Sequence, residues 1–93
     1  MHIGVLTLRF HLEGCSSLKQ KRQRLGGLRE RFGRQTNMAV CESALQDVLH
    51  QAEWSFVVAA GSRALVDQAV AALEVSVAAD IDARVCGREL DYV

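Results

Sequence analysis

Residues 2–34 read HIGVLTLRFHLEGCSSLKQKRQRLGGLRERFGR, and the spacing of their apolar residues changes part-way along. Up to residue 12, apolar residues recur at every second position, which predicts a β-strand with one face in the core. The apolar residues of that face are Leu6, Leu8, Phe10 and Leu12. From residue 17 the apolar residues fall within about a quarter of a helical wheel, which predicts an amphipathic helix to about residue 33. They are Leu18, Leu25, Leu28 and Phe32.

The start of this helix has a recognisable signal. Ser17 is a favoured N-cap residue, and Gln20 three positions later completes the pattern of a capping box. Glu13 and Gly14 lie between the strand and the cap, where the chain must turn. The first two elements are therefore predicted to be a strand and a helix joined by a short turn.

The rest of the chain repeats this alternation. A second strand is predicted from Asn37 to about Cys41, a third over 52–60 and a last strand over 82–92. Gly61 and Ser62 begin a second helix, which ends near Ala79. The stretch ESALQDVLHQ between the second and third strands is either strand that continues through a bulge or a longer hairpin connection.

The predicted order is β-α-β-β-α-β. Two right-handed crossovers place both helices on one face of a four-stranded antiparallel sheet. We therefore predict an α+β protein with a ferredoxin-like fold, in strand order 4-1-3-2. Its 93 residues form a single domain over 1–93. Trp54 and Phe56 are expected in the core, which leaves no aromatic platform on the sheet for stacking bases.

Composition argues against several classes of protein. No apolar run approaches the roughly 20 residues needed to cross a bilayer, and the start of the chain does not resemble a signal peptide. We therefore expect a cytoplasmic protein with no membrane partner. Three cysteines without CxxC spacing favour neither a disulfide framework nor a zinc site. We expect no cofactor and no bound metal.

Catalysis is not indicated either. The carboxylates of Glu42, Asp47 and Glu53 are near one another in sequence, but spacing places no histidine or cysteine beside them. The chain has no glycine-rich phosphate loop. We expect that the protein is not an enzyme and has no catalytic residues.

Two segments resemble a known family. HLEGCSSLKQKRQRL, at residues 11–25, is similar to the H-[LI]-P-G-x-x-S-L-K-x-K-R-x-x-L opening of the YlxP-like family of small bacterial proteins of unknown function. The similarity continues into the middle of the chain, through Asn37, Val40, Glu42, Gln46, Asp47, Ala52 and Glu53. The resemblance implies a ferredoxin-like fold, no known catalytic residues, and genes near those for translation initiation and ribosome maturation. That neighbourhood implies a ribosome or RNA partner.

The chain departs from the family pattern at four positions. Glu13 replaces a proline, Leu45 a histidine, Leu49 a tryptophan and Gln51 an arginine. The middle segment therefore lacks polar and aromatic groups that could contribute to a binding site.

Charge is distributed unevenly along a chain that is neutral overall. Residues 1–34 carry eight basic and two acidic residues, whereas residues 35–93 carry three basic and nine acidic residues. Seven of the eleven basic residues lie within 17–34. A basic first turn is unusual, because the N-terminus of a helix already carries partial positive charge.

The basic helix has three possible interpretations. It is a contact surface for a polyanion, a solvated face balanced by acids of the C-terminal half, or a site for a small anionic ligand. Under the first, phosphate is bound by Ser17, Lys19, Lys21 and Arg22, and the track is extended by Arg24, Arg29 and Arg31. Lys21 lies inside the apolar stripe, where a charge is costly unless it reaches the rim.

We therefore hypothesise a non-enzymatic binding protein that associates with the ribosome or RNA through its first helix. The alternative is a small-ligand or protein-interaction module of ferredoxin-like architecture. Ile3, Val5 and Val57 would make the uncovered face of the sheet partly apolar, and such faces are often closed by a second subunit. We therefore also expect a homodimer.

Overall fold

The computed structural model describes residues 1–93 and contains the six predicted elements in the predicted order. They are β1 His2–His11, α1 Leu18–Phe32, β2 Met38–Ala44, β3 Gln51–Ala60, α2 Arg63–Asp80 and β4 Arg84–Tyr92. The sheet has the strand order β2-β3-β1-β4, and all neighbouring strands are antiparallel. The ferredoxin-like βαββαβ arrangement and its strand order are therefore confirmed.

The core lies between the sheet and the two helices. In β1 the buried residues are those of the predicted alternating face, and each pairs in register with a buried residue of β3, as Leu8 does with Trp54. Phe32 of α1 packs edge-on against Phe56 of β3, with 5.8 Å between the ring centroids. The prediction that Trp54 and Phe56 lie in the core is confirmed.

The connection between β2 and β3 combines both structures that the sequence left open. The register of β2 against β3 shifts between Glu42 and Ala44, so the strand continues through a bulge at Ser43. Residues 45–50 then form the connection to β3. Leu45 has a φ of 64°, a left-handed conformation that is uncommon for a residue with a side chain. The bulge and this turn bring the connection beside the N-terminal half of α1.

The face of the sheet opposite the helices is uncovered. Its centre is a row of hydroxyl groups, in which Ser55 Oγ lies 3.2 Å from Thr7 Oγ1 and 2.8 Å from Ser43 Oγ. Glu53 joins this row to Arg9, accepting hydrogen bonds from Ser43 and from the guanidinium. Its apolar positions include Val57, which is 38% exposed.

On the other side of the sheet, neither helix has both the length and the hydropathy needed to cross a bilayer.

Candidate anion-binding surface on α1

The N-terminus of α1 is capped as predicted, with one difference. The Ser17 hydroxyl accepts a hydrogen bond from the backbone N–H of Gln20, at 3.0 Å. The Gln20 side chain reaches past the cap residue, because its oxygen accepts from the backbone N–H of Ser16, at 2.7 Å. The Ser17 oxygen is thus already used within the helix, and the first turn contains no acidic residue to balance its partial positive charge.

Lys21 is buried, unlike the other cations of α1. The residue is only 3% exposed, and its Nζ donates to the backbone oxygens of Leu45 and Gln46, at 2.7 and 3.3 Å. The carboxylate of Glu42 lies 3.4 Å from the same nitrogen. The sequence suggested that Lys21 contacts phosphate, but its ammonium is buried and bonded within the protein, so it is not available to an external phosphate. Its position in the apolar stripe turns it inward, where carbonyl oxygens satisfy its charge.

Arg24 and Arg31 are bonded within the protein, mostly to residues at or just after the end of α2. Arg24 donates to the backbone oxygens of Asp82 and Glu13, at 2.9 and 2.8 Å, and pairs with the Asp82 carboxylate. Arg31 donates to Ser76 and pairs with Asp80. The charges of these two arginines are therefore balanced by acids of the C-terminal half, as the second of the three interpretations states. They fasten α1 to the end of α2.

Three cations of α1 are exposed and form no ion pair: Lys19, Arg22 and Arg29. Their spacing of three and seven residues places them along one side of the helix. We call them the α1 cation row. Of the seven residues that the sequence suggested for phosphate binding, these three have charged groups available for a partner.

A cleft of about 420 Å³ lies beside the row, between α1 and the β2–β3 connection. Arg22 and Arg29 line it from α1, Asp47 from the connection, and Trp54 from β3. The Arg29 guanidinium lies over the indole, 5.6 Å from the ring centroid, in a cation–π contact. The Trp54 Nε1 is buried and has no hydrogen-bond acceptor. Sequence analysis missed this cleft, because its walls come from segments that are distant in the chain.

The histidines, cysteines and carboxylates of the chain are dispersed over the structure. No three His, Cys, Asp or Glu side chains are grouped as they would be around a metal ion. All three cysteines are free: Cys15 is buried, and Cys41 and Cys86 are exposed. His11 bonds to Glu13 at 2.9 Å, and this hydrogen bond lowers the pKa of the Glu13 carboxyl below its ordinary value.

Comparison with known proteins gives a family for the chain. A family model described as "Protein of unknown function (DUF503)" matches residues 3–89. The chain belongs to the DUF503 family. Among curated proteins, no sequence matches it. The family match covers all six structural elements wholly or in large part, including α1 and the β2–β3 connection that form the cleft.

Two solved structures are similar to this DUF503 chain at low sequence identity. The Arabidopsis thaliana protein At3g17210 is 10% identical, with a TM-score of 0.51, and the match covers 98% of this chain and 92% of that one. Bacillus subtilis YXEP, described as a dinuclear metal binding peptidase from the M20 family, is 14% identical, with a TM-score of 0.49. That match covers 97% of this chain but 25% of YXEP. At 10% identity, the similarity to At3g17210 concerns the fold alone.

Proposed function

We propose that this DUF503 chain is a non-enzymatic cytosolic binding protein of the YlxP-like kind, which associates with the ribosome or RNA through the α1 cation row. The observation that supports this most is that Lys19, Arg22 and Arg29 have no acidic partner, although the chain contains as many acids as bases. The other two arginines of α1 are paired with acids of the protein, so the lack of an ion-pair partner is specific to the row.

The chemistry of the row suits a phosphate backbone. Guanidinium groups donate two parallel hydrogen bonds to phosphate oxygens, and a lysine ammonium adds a mobile point charge. Lys19 lies in the first turn of α1, where no acid opposes the partial positive charge of the helix. Contacts of this kind position RNA without reading its sequence, so we expect weak sequence specificity.

Salt dependence tests the proposal directly. In a filter-binding or ribosome-pelleting assay, log affinity should fall linearly with log salt concentration, with a slope of about −0.7 to −0.9 for each phosphate contact. Pull-down of the tagged protein from lysate with and without RNase then separates RNA from an acidic protein as partner. An affinity that does not change with salt would contradict a phosphate-binding surface and would favour a small-ligand module.

We also propose that the chain forms a homodimer through the open face of the sheet or an edge strand. Val57 is exposed on that face beside the row of hydroxyl groups, with the half-buried side chains of Ile3 and Val5 nearby on β1. The same face carries both Arg9 and Glu53, so a two-fold axis can bring opposite charges together across the interface.

Val57→Asp should convert the dimer to a monomer, because it places a charge in an apolar interface. The control is Val75→Asp on α2, where the valine is 71% exposed and lies in the helical layer. Sedimentation at tens of micromolar is the measurement. Wild-type protein that sediments only as a monomer would contradict the proposed dimer.

A further inference from the structure

The cleft beside α1 has charges of opposite sign on its two walls. Arg22 and Arg29 lie on the α1 wall, and Asp47 and Glu42 lie on the opposite wall. Glu42 is engaged with Lys21, whereas Asp47 forms neither an ion pair nor a side-chain hydrogen bond. Lys21 and Glu30 also line the α1 wall, which therefore has a net charge of +2 against −2 on the opposite wall, and the charges of the lining cancel. The cleft is therefore neutral but polarised.

This polarity selects among ligands. A free phosphate dianion inside the cleft would meet Arg22 and Arg29 but would also face the unpaired carboxylate of Asp47 on the opposite wall, which repels it; an RNA backbone on the exposed side of the row stays outside the cleft. A small molecule with an anionic end and a cationic end meets a complementary charge on each wall. The cleft volume of about 420 Å³ lies within the usual range of about 300–1,000 Å³ for small-molecule sites.

The interior of the cleft adds a further requirement. Trp54 is 5% exposed, and its Nε1 is a buried donor without an acceptor. Because that nitrogen has almost no accessible surface, a ligand in the cleft does not reach it, and the indole contributes apolar ring surface to the lining. Leu18 and Leu25 line the cleft as well and can contact an apolar substituent.

The cleft is held in shape before any ligand binds. The Lys21 ammonium donates to the carbonyls of Leu45 and Gln46, the two residues directly before Asp47. These bonds fix the connection against α1, so little ordering of the loop remains to oppose binding.

We propose that this cleft binds a small zwitterion of the α-amino acid class with an apolar side chain. The carboxylate lies against Arg22 and Arg29, and the ammonium lies toward Asp47. The apolar side chain lies against Leu18 and Leu25. Because Arg29 forms no ion pair within the protein, its guanidinium can bind the carboxylate while it remains close to the indole. The proposal does not depend on RNA binding.

Trp54 is the only tryptophan of the chain and lines the cleft, so its intrinsic fluorescence is a probe of ligand binding there. Titration with L-leucine and with L-phenylalanine should give a saturable change in emission. L-leucinamide lacks the carboxylate and N-acetyl-L-leucine lacks the ammonium, and each should bind at least about tenfold more weakly than L-leucine. Titration with inorganic phosphate and with adenosine monophosphate tests whether the cleft binds phosphate instead.

Two substitutions and their matched controls complete the test. Arg22→Ala and Asp47→Asn should each weaken L-leucine binding by about tenfold to a hundredfold. Arg34→Ala and Asp91→Asn change exposed residues outside the cleft and should leave it unchanged. Since Asp47 is not part of the cation row, Asp47→Asn should lower L-leucine affinity without lowering RNA affinity. Circular dichroism confirms folding of each variant.

Three outcomes would overturn the inference. The first is the absence of a saturable signal with either amino acid up to about 10 mM. The second is equal binding of L-leucine and its two blocked derivatives. The third is binding of phosphate or adenosine monophosphate in preference to the amino acids.

Discussion

Reversal of Lys19 and Arg22 to glutamate is expected to lower the affinity for RNA or ribosomes by at least about 100-fold. Each residue would lose a charge-assisted hydrogen bond to phosphate, and each new carboxylate repels the backbone. Such bonds contribute about 1.5–3 kcal/mol each, which corresponds to roughly tenfold or more in affinity. The dependence of log affinity on log salt should also become shallower, by about 0.7–0.9 for each phosphate that the variant no longer binds.

The fold should survive this double change. Lys19 lies in the first turn of α1, where an acid interacts favourably with the helix dipole, by about 0.3–1 kcal/mol. Arg22 is exposed and forms no ion pair within the protein. Circular dichroism and the midpoint of thermal unfolding should therefore remain close to those of the wild type.

The matched control is the double reversal of Arg63 and Arg84, which changes net charge by the same amount but lies outside α1. Asp80 and Asp82 do not serve as controls, because each pairs with an arginine of α1. We expect the control protein to bind nearly as well as wild type. Equal binding by the Lys19 and Arg22 variant would show that the row is a solvated face.

Replacement of Lys21 with methionine is expected to lower the free energy of unfolding by about 2–4 kcal/mol. Methionine fills much of the same volume, but it leaves the carbonyl oxygens of Leu45 and Gln46 without their donor. It also leaves Glu42 without its ion-pair partner. Because the Glu42 side chain is 23% exposed, water compensates part of this loss, and the expected effect is below that of a fully buried pair.

Chemical denaturation measures this effect, with Lys19→Met as the control. Lys19 is exposed and has no partner, so its replacement should change stability by no more than about 0.5 kcal/mol. The double variant Lys21→Met with Glu42→Gln should be destabilised by less than the sum of the two single changes, since the ion pair is removed only once. A Lys21→Met protein as stable as wild type would mean that its ammonium does not hold the β2–β3 connection.

The elements themselves were predictable, because their signals are local. The alternation in β1 and the helical spacing in α1 each follow from neighbours within a few residues, and so does the serine cap of α1. The strand order followed from the element order, since crossover handedness leaves few arrangements. The observed ends of the helices and strands differ from the predicted ends by one to three residues, because these ends depend on contacts with residues that are distant in sequence.

The course of the β2–β3 connection was not predictable in the same way. Glycine or asparagine usually marks such a bulge or a left-handed residue in a sequence, but neither occurs at Ser43 or Leu45. The sequence indicated that Lys21 was exceptional, because a cation lay in an apolar stripe. It did not indicate the solution, in which backbone carbonyls from a loop 24 and 25 residues away receive the ammonium.

The amino-acid sequence alone determined that this chain is a ferredoxin-like domain with its positive charge gathered on α1. It could not determine which of those charges are exposed without an ion-pair partner in the protein. Arg24 and Arg31 bind residues 58 and 49 positions further along the chain, and Arg22 and Arg29 share a cleft with Asp47 and Trp54. Only the packing of α1 against the sheet and α2 makes these distinctions, because ion pairs and cavities depend on distances in space rather than on spacing in sequence.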